Sequence, residues 1–238
     1  MKARIGILVV LCTVLSCTSS TSVANAGKQN REVGTFRNIK SSSGINVYFT
    51  QEQPQNVRIE TENVDENDVI TEVKDGTLVI KMKNNNNWGN KIRRSVKVYI
   101  SAPVLEGLDI SSGSDFFADN LKSTNFNISS TSGSDVKIGN LTVDNEVKIS
   151  SSSGSDCNIK NLKANGCALS ASSGSDMTLG VEISGKLTVS VSSASDIKLS
   201  GKAQSISISA SSGADVNVRN LKYEQIDSKT SSGASVRK

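Results

Sequence analysis

Six aspartates stand at one place in a recurring corner, and their type and spacing could do chemistry: Asp115, Asp135, Asp156, Asp176, Asp196 and Asp215. Each ends a small-residue motif, Ser-Ser-Gly-Ser-Asp or a close variant, whose fourth-last slot holds Ser, and whose glycine slot holds Gly113, Gly133, Gly154, Gly174, Ala194 and Gly213. A column of carboxylates could bind divalent cations, which favour several oxygen ligands, or could supply the acid and base of a glycan-cleaving site. Both uses meet objections. One carboxylate per repeat gives a cation few ligands, and catalysis needs two carboxylates whose environments separate their pKa values. Here the environments repeat. The chain also has no His at all, which removes the commonest general base, zinc ligand and physiological pH switch. We therefore expect a structural ladder, with each carboxylate capping backbone N–H groups or serine hydroxyls of its own turn and with Lys137 and Lys198 neutralising part of the charge. Neighbouring carboxylates at strand spacing repel by roughly 1 kcal/mol in a water-like dielectric. Calcium between coils is the alternative; no metal and no cofactor is the expectation.

The elements that must position this column follow from its period. With a seventh corner ending at Ser235, the steps are 20, 21, 20, 20, 19 and 20 residues. So regular a period marks a solenoid, in which each unit buries its apolar face only by stacking on its neighbours. One and three residues after the Asp come Val136/Ile138, Cys157/Ile159, Met177/Leu179, Ile197/Leu199 and Val216/Val218. A second alternating pair follows: Phe126/Ile128, Val147/Ile149, Cys167/Leu169, Leu187/Val189 and Ile206/Ile208. Alternation with β-branched residues predicts two short strands per coil. Leu121, Leu141, Leu162 and Leu221 add a third inward position, each after an Asn (Asn120, Asn140, Asn161, Asn220) whose amide could bond to the next coil; Val181 and Gly201 interrupt that Asn column. Stacked roughly 4.8 Å apart, like residues form a parallel β-helix. Ala194 in a glycine slot implies that small size matters at least as much as the sign of φ. Cys157 and Cys167 fall in inward slots, where buried thiols are expected and a disulfide is the alternative.

The rest of the chain bounds its class. Aromatics are 4% of residues and Pro only 2, which favours thin β-branched layers over a thick core. Lys+Arg 27 nearly balance Asp+Glu 23, so no nucleic-acid footprint is expected. Lys2 and Arg4 precede an apolar run over 5–15, too short to span a bilayer and suited to an export signal. Val14-Leu15-Ser16-Cys17 resembles a bacterial lipobox that would leave Cys17 lipid-modified, while Ala24-Asn25-Ala26 fits ordinary cleavage. The expected organisation is a signal peptide and tether over 1–26 and one β-helix domain over 27–238, with N-terminal strands over 32–102 and repeated coils over 103–238. Asp75-Gly76 reads as a hairpin turn, Ser42-Ser43-Gly44 previews the later corners, and 84–90 is a polar excursion. Lys91, Arg93 and Arg94 near Trp88 could clamp an acidic sugar, though a solvated loop is the expectation.

Phe36 followed by Ser43-Gly44-Ile45-Asn46-Val47, the Asp75-Gly76-x-Leu78 turn, and Ala102-Pro103-Val104-Leu105-Glu106-Gly107-Leu108 leading into Ser112-Gly113-Ser114-Asp115 resemble the head GIN domain family. Its members are described as putative autotransporter adhesins of Bacteroidetes-type bacteria. The resemblance spans nearly the whole body of the chain. It implies an all-β, right-handed parallel β-helix with about 20-residue coils and an irregular strand-rich N-terminal cap, no recognised catalytic set, and a role in adhesion. The expected function is that of a non-enzymatic, exported cell-envelope binding or scaffold protein. It would be an outer-membrane lipoprotein on the cell surface or the periplasmic face, held to the membrane by its lipid alone, and it would recognise glycan or protein through a flat polar face. The alternatives are a self-associating structural envelope protein, hence a homo-oligomer, and a polysaccharide lyase or hydrolase.

Overall fold

The computed structural model describes residues 26–83 and 94–238. The lipobox with Cys17, the polar excursion, and Trp88, Lys91 and Arg93 lie outside the described residues. The first strands are β1 (Ala26–Arg31), β2 (Asn38–Ser41), β3 (Asn46–Gln51), β4 (Asn56–Glu62), β5 (Val69–Lys74), β6 (Thr77–Met82) and β7 (Ser95–Ala102). They continue with β8 (Gly107–Ile110), β9 (Asp115–Ser123), β10 (Phe126–Thr131), β11 (Asp135–Val143), β12 (Glu146–Ser152), β13 (Asp156–Ala164) and β14 (Gly166–Ser172). The last four, β15 (Asp176–Val191), β16 (Asp196–Ala210), β17 (Asp215–Thr230) and β18 (Ser235–Arg237), mostly run through two sides of a coil without a break. The protein is a parallel β-solenoid.

Alternation in the sequence becomes two-sidedness in space. β13, for example, buries Cys157, Ile159 and Leu162 while its intervening residues face solvent. The register then stacks like on like. Val47, Phe116, Val136, Cys157, Met177, Ile197 and Val216 form one inward column, and every member is buried. Fully burying one such side chain contributes about 1.5–3 kcal/mol, and in a solenoid that gain is realised only when the next coil arrives. Leu121, Leu141, Leu162, Val181, Gly201 and Leu221 form another column. This corrects the expectation for Val181 and Gly201: they stand in the leucine column, and Gly180 and Ser200 occupy the slots before them.

The coils do not stack in chain order at the N-terminal end. β2 pairs in parallel with both β6 and β8, and β3 with both β7 and β9. The coil made by β2 and β3, with Ser42-Ser43-Gly44 at its corner, therefore lies between the β6–β7 coil and the β8–β9 coil. Beyond it the pairing turns antiparallel. β5 closes on β6 through the Asp75-Gly76 turn, and β4 lies between β7 and β1. Both central residues of that turn have positive φ (49 and 71), the backbone a tight hairpin requires. At the other end, Leu221–Thr230 of β17 pairs on one side with β16 and on the other with nothing among the described residues.

Candidate functional site

The corner that carries the aspartates is a tight turn with two consecutive residues in the left-handed region. Ser112 and Gly113 have φ of 55 and 71, and Ser153 and Gly154 of 56 and 70. The turn is closed by the Ser114 N–H donating to the Ser111 carbonyl at 3.2 Å. It is also tied to its neighbour, because the Gly113 N–H donates to the Ser132 carbonyl and the Gly133 N–H to the Ser153 carbonyl, both at 3.1 Å. These inter-coil bonds hold a serine where an L-residue costs about 1–2 kcal/mol. A Cβ added at Gly113, Gly133, Gly154, Gly174 or Gly213 would meet nothing within 4 Å. Size is therefore not the constraint, contrary to the expectation from Ala194. Ala194 itself sits at φ 55, and the requirement is for positive φ.

Asp115, Asp135, Asp156, Asp176, Asp196 and Asp215 are paired in register, each on the next, with Asn46 before them and Ser235 after. Their offsets differ from those expected. Asp115 accepts a hydrogen bond from the backbone N–H of Asp135 at 3.2 Å, a bond to the next coil and not to its own turn. Lys137 does pair with Asp135 at 2.9 Å, but Lys198 makes no ion pair among the described residues, and at the far end Arg237 reaches Asp215 at 3.1 Å. Partial burial pushes the Asp115 carboxyl above its ordinary value, and the Asp135 charge adds to the shift. Burial, followed by the charges of Asp135 and Asp176, does the same to Asp156. Among the described residues no three His, Cys, Asp or Glu side chains come together to hold a metal.

Sequence reasoning passed over the serine just before each Asp. Ser114, Ser134, Ser155, Ser175 and Ser195 are completely buried. The Ser155 hydroxyl accepts from the Ser152 N–H at 3.1 Å and lies 2.8 Å from the Ser130 carbonyl, to which it donates. Ser134 and Ser175 reach Ile110 and Ser151 in the same way, at 2.9 Å. Ala214 and Ala234 in this slot were the available signal that it is small and inward. The asparagines behave as expected: Asn140 donates to Asn120 and Asn161 to Asn140, each at 2.8 Å. Cys157 and Cys167 are buried free thiols, not a disulfide, and burial pushes both up to about 12.

The solvent faces carry the chemistry left over. On one, the register aligns Ser129, Ser150, Ser170, Ser190 and Ser209 into a flat row of hydroxyls. On another, Arg58, Tyr99, Tyr48, Phe117, Lys137 and Asn158 form one outward column. Its rings stack: Tyr99 on Tyr48 at 5.1 Å and Tyr48 on Phe117 at 5.0 Å, each pair within 16° of parallel. A trough of about 360 Å³ opens beside Phe117, between Lys137 and Asn158 on one side and Asp119 and Gly139 on the other. Sequence reasoning passed over this aromatic column.

A family profile described as "Putative auto-transporter adhesin, head GIN domain" matches residues 35–157 and again 140–237. Among solved structures, the chain is similar to a putative adhesin from Bacteroides fragilis (18% identity, TM-score 0.75, 90% of this chain and 96% of that one). It is similar to a putative lipid binding protein from Parabacteroides distasonis (14%, TM-score 0.72, 90% and 96%). A putative adhesin from Parabacteroides merdae follows (14%, TM-score 0.68, 89% and 95%). At these identities the likeness is one of fold. No curated protein matches the chain.

Proposed function

From the premise that the chain belongs to the family of putative auto-transporter adhesins with a head GIN domain, we propose that it is a non-enzymatic, adhesin-like protein of the cell envelope that recognises glycan or protein through its outer β-solenoid faces. The observation that carries this reading is the regularity of those faces. Outward columns such as Ser129, Ser150, Ser170, Ser190 and Ser209 repeat one polar chemistry from coil to coil, which suits many weak contacts with an extended ligand. A catalytic site needs a local departure from the repeat that sets one acid or base apart, and the aspartate column offers the same carboxylate at every step. Export through the leader, and an outer-membrane anchor at a lipidated Cys17, complete the proposal.

The experiment is binding of the purified protein to a glycan array and to intact host-cell surfaces. Saturable binding to either supports the reading; binding to neither overturns it. Turnover of a polysaccharide on the same array would replace it with the enzyme reading.

Self-association is the second reading, favoured by the unpaired edge of β17, where Tyr223 and Ile226 are only partly buried against the core. Unpaired strand edges invite pairing with another chain. Light scattering at rising concentration decides it: a constant monomer mass excludes this reading.

A further inference from the structure

The stack of three rings has a cation at each end. Arg58 covers the outer face of Tyr99, with its guanidinium carbon 4.7 Å from the ring centroid. Phe117 uses one face on Tyr48. Its other face is turned to Lys137, its in-register neighbour on the next coil, whose ammonium lies 5.7 Å from the ring centroid and 2.9 Å from Asp135 on an exposed side chain. The half-buried Phe117 ring thus reaches the wall of the 360 Å³ trough. Single apolar residues that reach the surface are ordinary, but this one adjoins a recess of the size of small-ligand sites.

The rest of the trough supplies the complement. Gly139 forms its floor, and a Cβ there would lie 2.6 Å from the Asp119 carbonyl oxygen, so the recess is built into the coil-to-coil contact. The Asp119 and Asn158 side chains are exposed at its rim and neither has a hydrogen-bonding or ionic partner among the described residues. An acceptor, an amide and an ammonium surround one flat apolar face. A sugar ring has that pattern in reverse, with a C–H face on one side and hydroxyls around its edge.

We infer that this trough is a saccharide-binding subsite, which takes a pyranose ring with its C–H face on Phe117 and its hydroxyls on Asp119, Asn158 and Lys137. It rests on the adhesin-like reading and assigns that reading a place and a ligand class. The Tyr99 and Tyr48 rings behind Phe117 fix its plane, so little side-chain freedom is lost on binding.

The test uses the full protein, a neutral glycan array, and saturation-transfer NMR with the methyl glycosides of glucose, galactose, mannose and N-acetylglucosamine. The expected result is binding that F117L and D119A each weaken about tenfold or more, while K74A, an exposed position on the β5–β6 hairpin away from the outward columns, leaves it unchanged. F117L keeps the apolar volume and loses the aromatic face; D119A removes an exposed rim group and tests the subsite if F117L fails to fold. Glycan binding that both variants retain, or binding to cell surfaces with a silent array, overturns the subsite and leaves the adhesin-like reading standing. Binding to neither surface overturns both.

Discussion

The carboxylate of Asp115 accepts the backbone N–H of Asp135 at 3.2 Å, so the groups that repel one another along the column are also linked by its hydrogen bonds. Asp156 stands in the same column between the charges of Asp135 and Asp176, while the Asp176 N–H donates to the Ser155 carbonyl at 3.2 Å. An amide in this slot would carry no charge to repel its neighbours, and Asn46 already stands in this column beside Asp115.

Asp156→Asn should therefore stabilise the fold at pH 7, by up to about 1 kcal/mol after allowance for solvent screening. The sign of its pH dependence follows from the raised carboxyls of Asp115 and Asp156. A group held above its unfolded value binds protons more tightly in the folded chain, so its contribution is full below the ordinary aspartate pKa of about 3.9 and is lost as pH rises through the folded value. Urea midpoints of both proteins from pH 3 to 7 check this. The variant's advantage should shrink toward zero at the acid end, and a lower midpoint at pH 7 would show that the charge itself is needed.

Ala194 lies at φ 55 in a slot that glycine fills in the other corners, with φ between 67 and 77 from Gly113 to Gly233. Ala194→Gly removes the left-handed penalty of about 1–2 kcal/mol and adds back about 0.4–1 kcal/mol of unfolded-state entropy. The expected net effect is a stabilisation of about 0.5–1 kcal/mol. Gly154→Ala should destabilise by a similar amount, since no atom lies near the added Cβ and only the backbone conformation opposes it. Equal and opposite shifts in urea midpoint would be the signature; a destabilising Ala194→Gly would show that the alanine methyl has a packing role.

The solenoid was legible because its period and alternation are local in sequence: Val136, Cys157, Met177 and Ile197 announce a column without any knowledge of the fold. The order of the N-terminal coils was not. Ile39 and Val47 alternate like any other strand residues, and nothing local says that their coil will be inserted between β6–β7 and β8–β9. Only long-range register decides that, and the aromatic column depends on it, because Tyr48 reaches both Tyr99 and Phe117 through this insertion alone. The direction of the aspartate hydrogen bonds was hidden for a related reason. A carboxylate beside a turn can bond within it or across to the next coil, and the sequence is the same in both cases.

Cys157 and Cys167 make the interior testable by chemistry. Both are buried and free, and burial pushes each thiol up to about 12, so the reactive thiolate is scarce at pH 8. Modification by a disulfide reagent should be slow in the native protein and should follow the rate of unfolding, with both body thiols titrating at once in denaturant without prior reduction. Rapid labelling in the absence of denaturant would show that the coil containing them opens locally. Replacing either by Val, a volume-conserving exchange, should cost less than about 1.5 kcal/mol.

Ser151 and Ser155 lie in one coil, four residues apart in sequence, and removing their hydroxyls should have opposite effects. Both are buried. Ser155 accepts the Ser152 N–H at 3.1 Å and donates to the Ser130 carbonyl of the preceding coil at 2.8 Å, so Ser155→Ala leaves a buried N–H without its acceptor and a carbonyl without its donor. That should cost about 1–3 kcal/mol. The hydroxyl of Ser151 has no hydrogen-bond partner among the described residues, and the register places it between Ser130 and Ala171. Ala is already accepted there one coil on. Ser151→Ala therefore removes a buried, unpartnered dipole with little change in volume and should be neutral or stabilising by about 1 kcal/mol. Urea unfolding of the two single variants measures the difference. If both destabilise equally, the serines act through packing alone, and the corner is held by its backbone bonds without help from the hydroxyl stack.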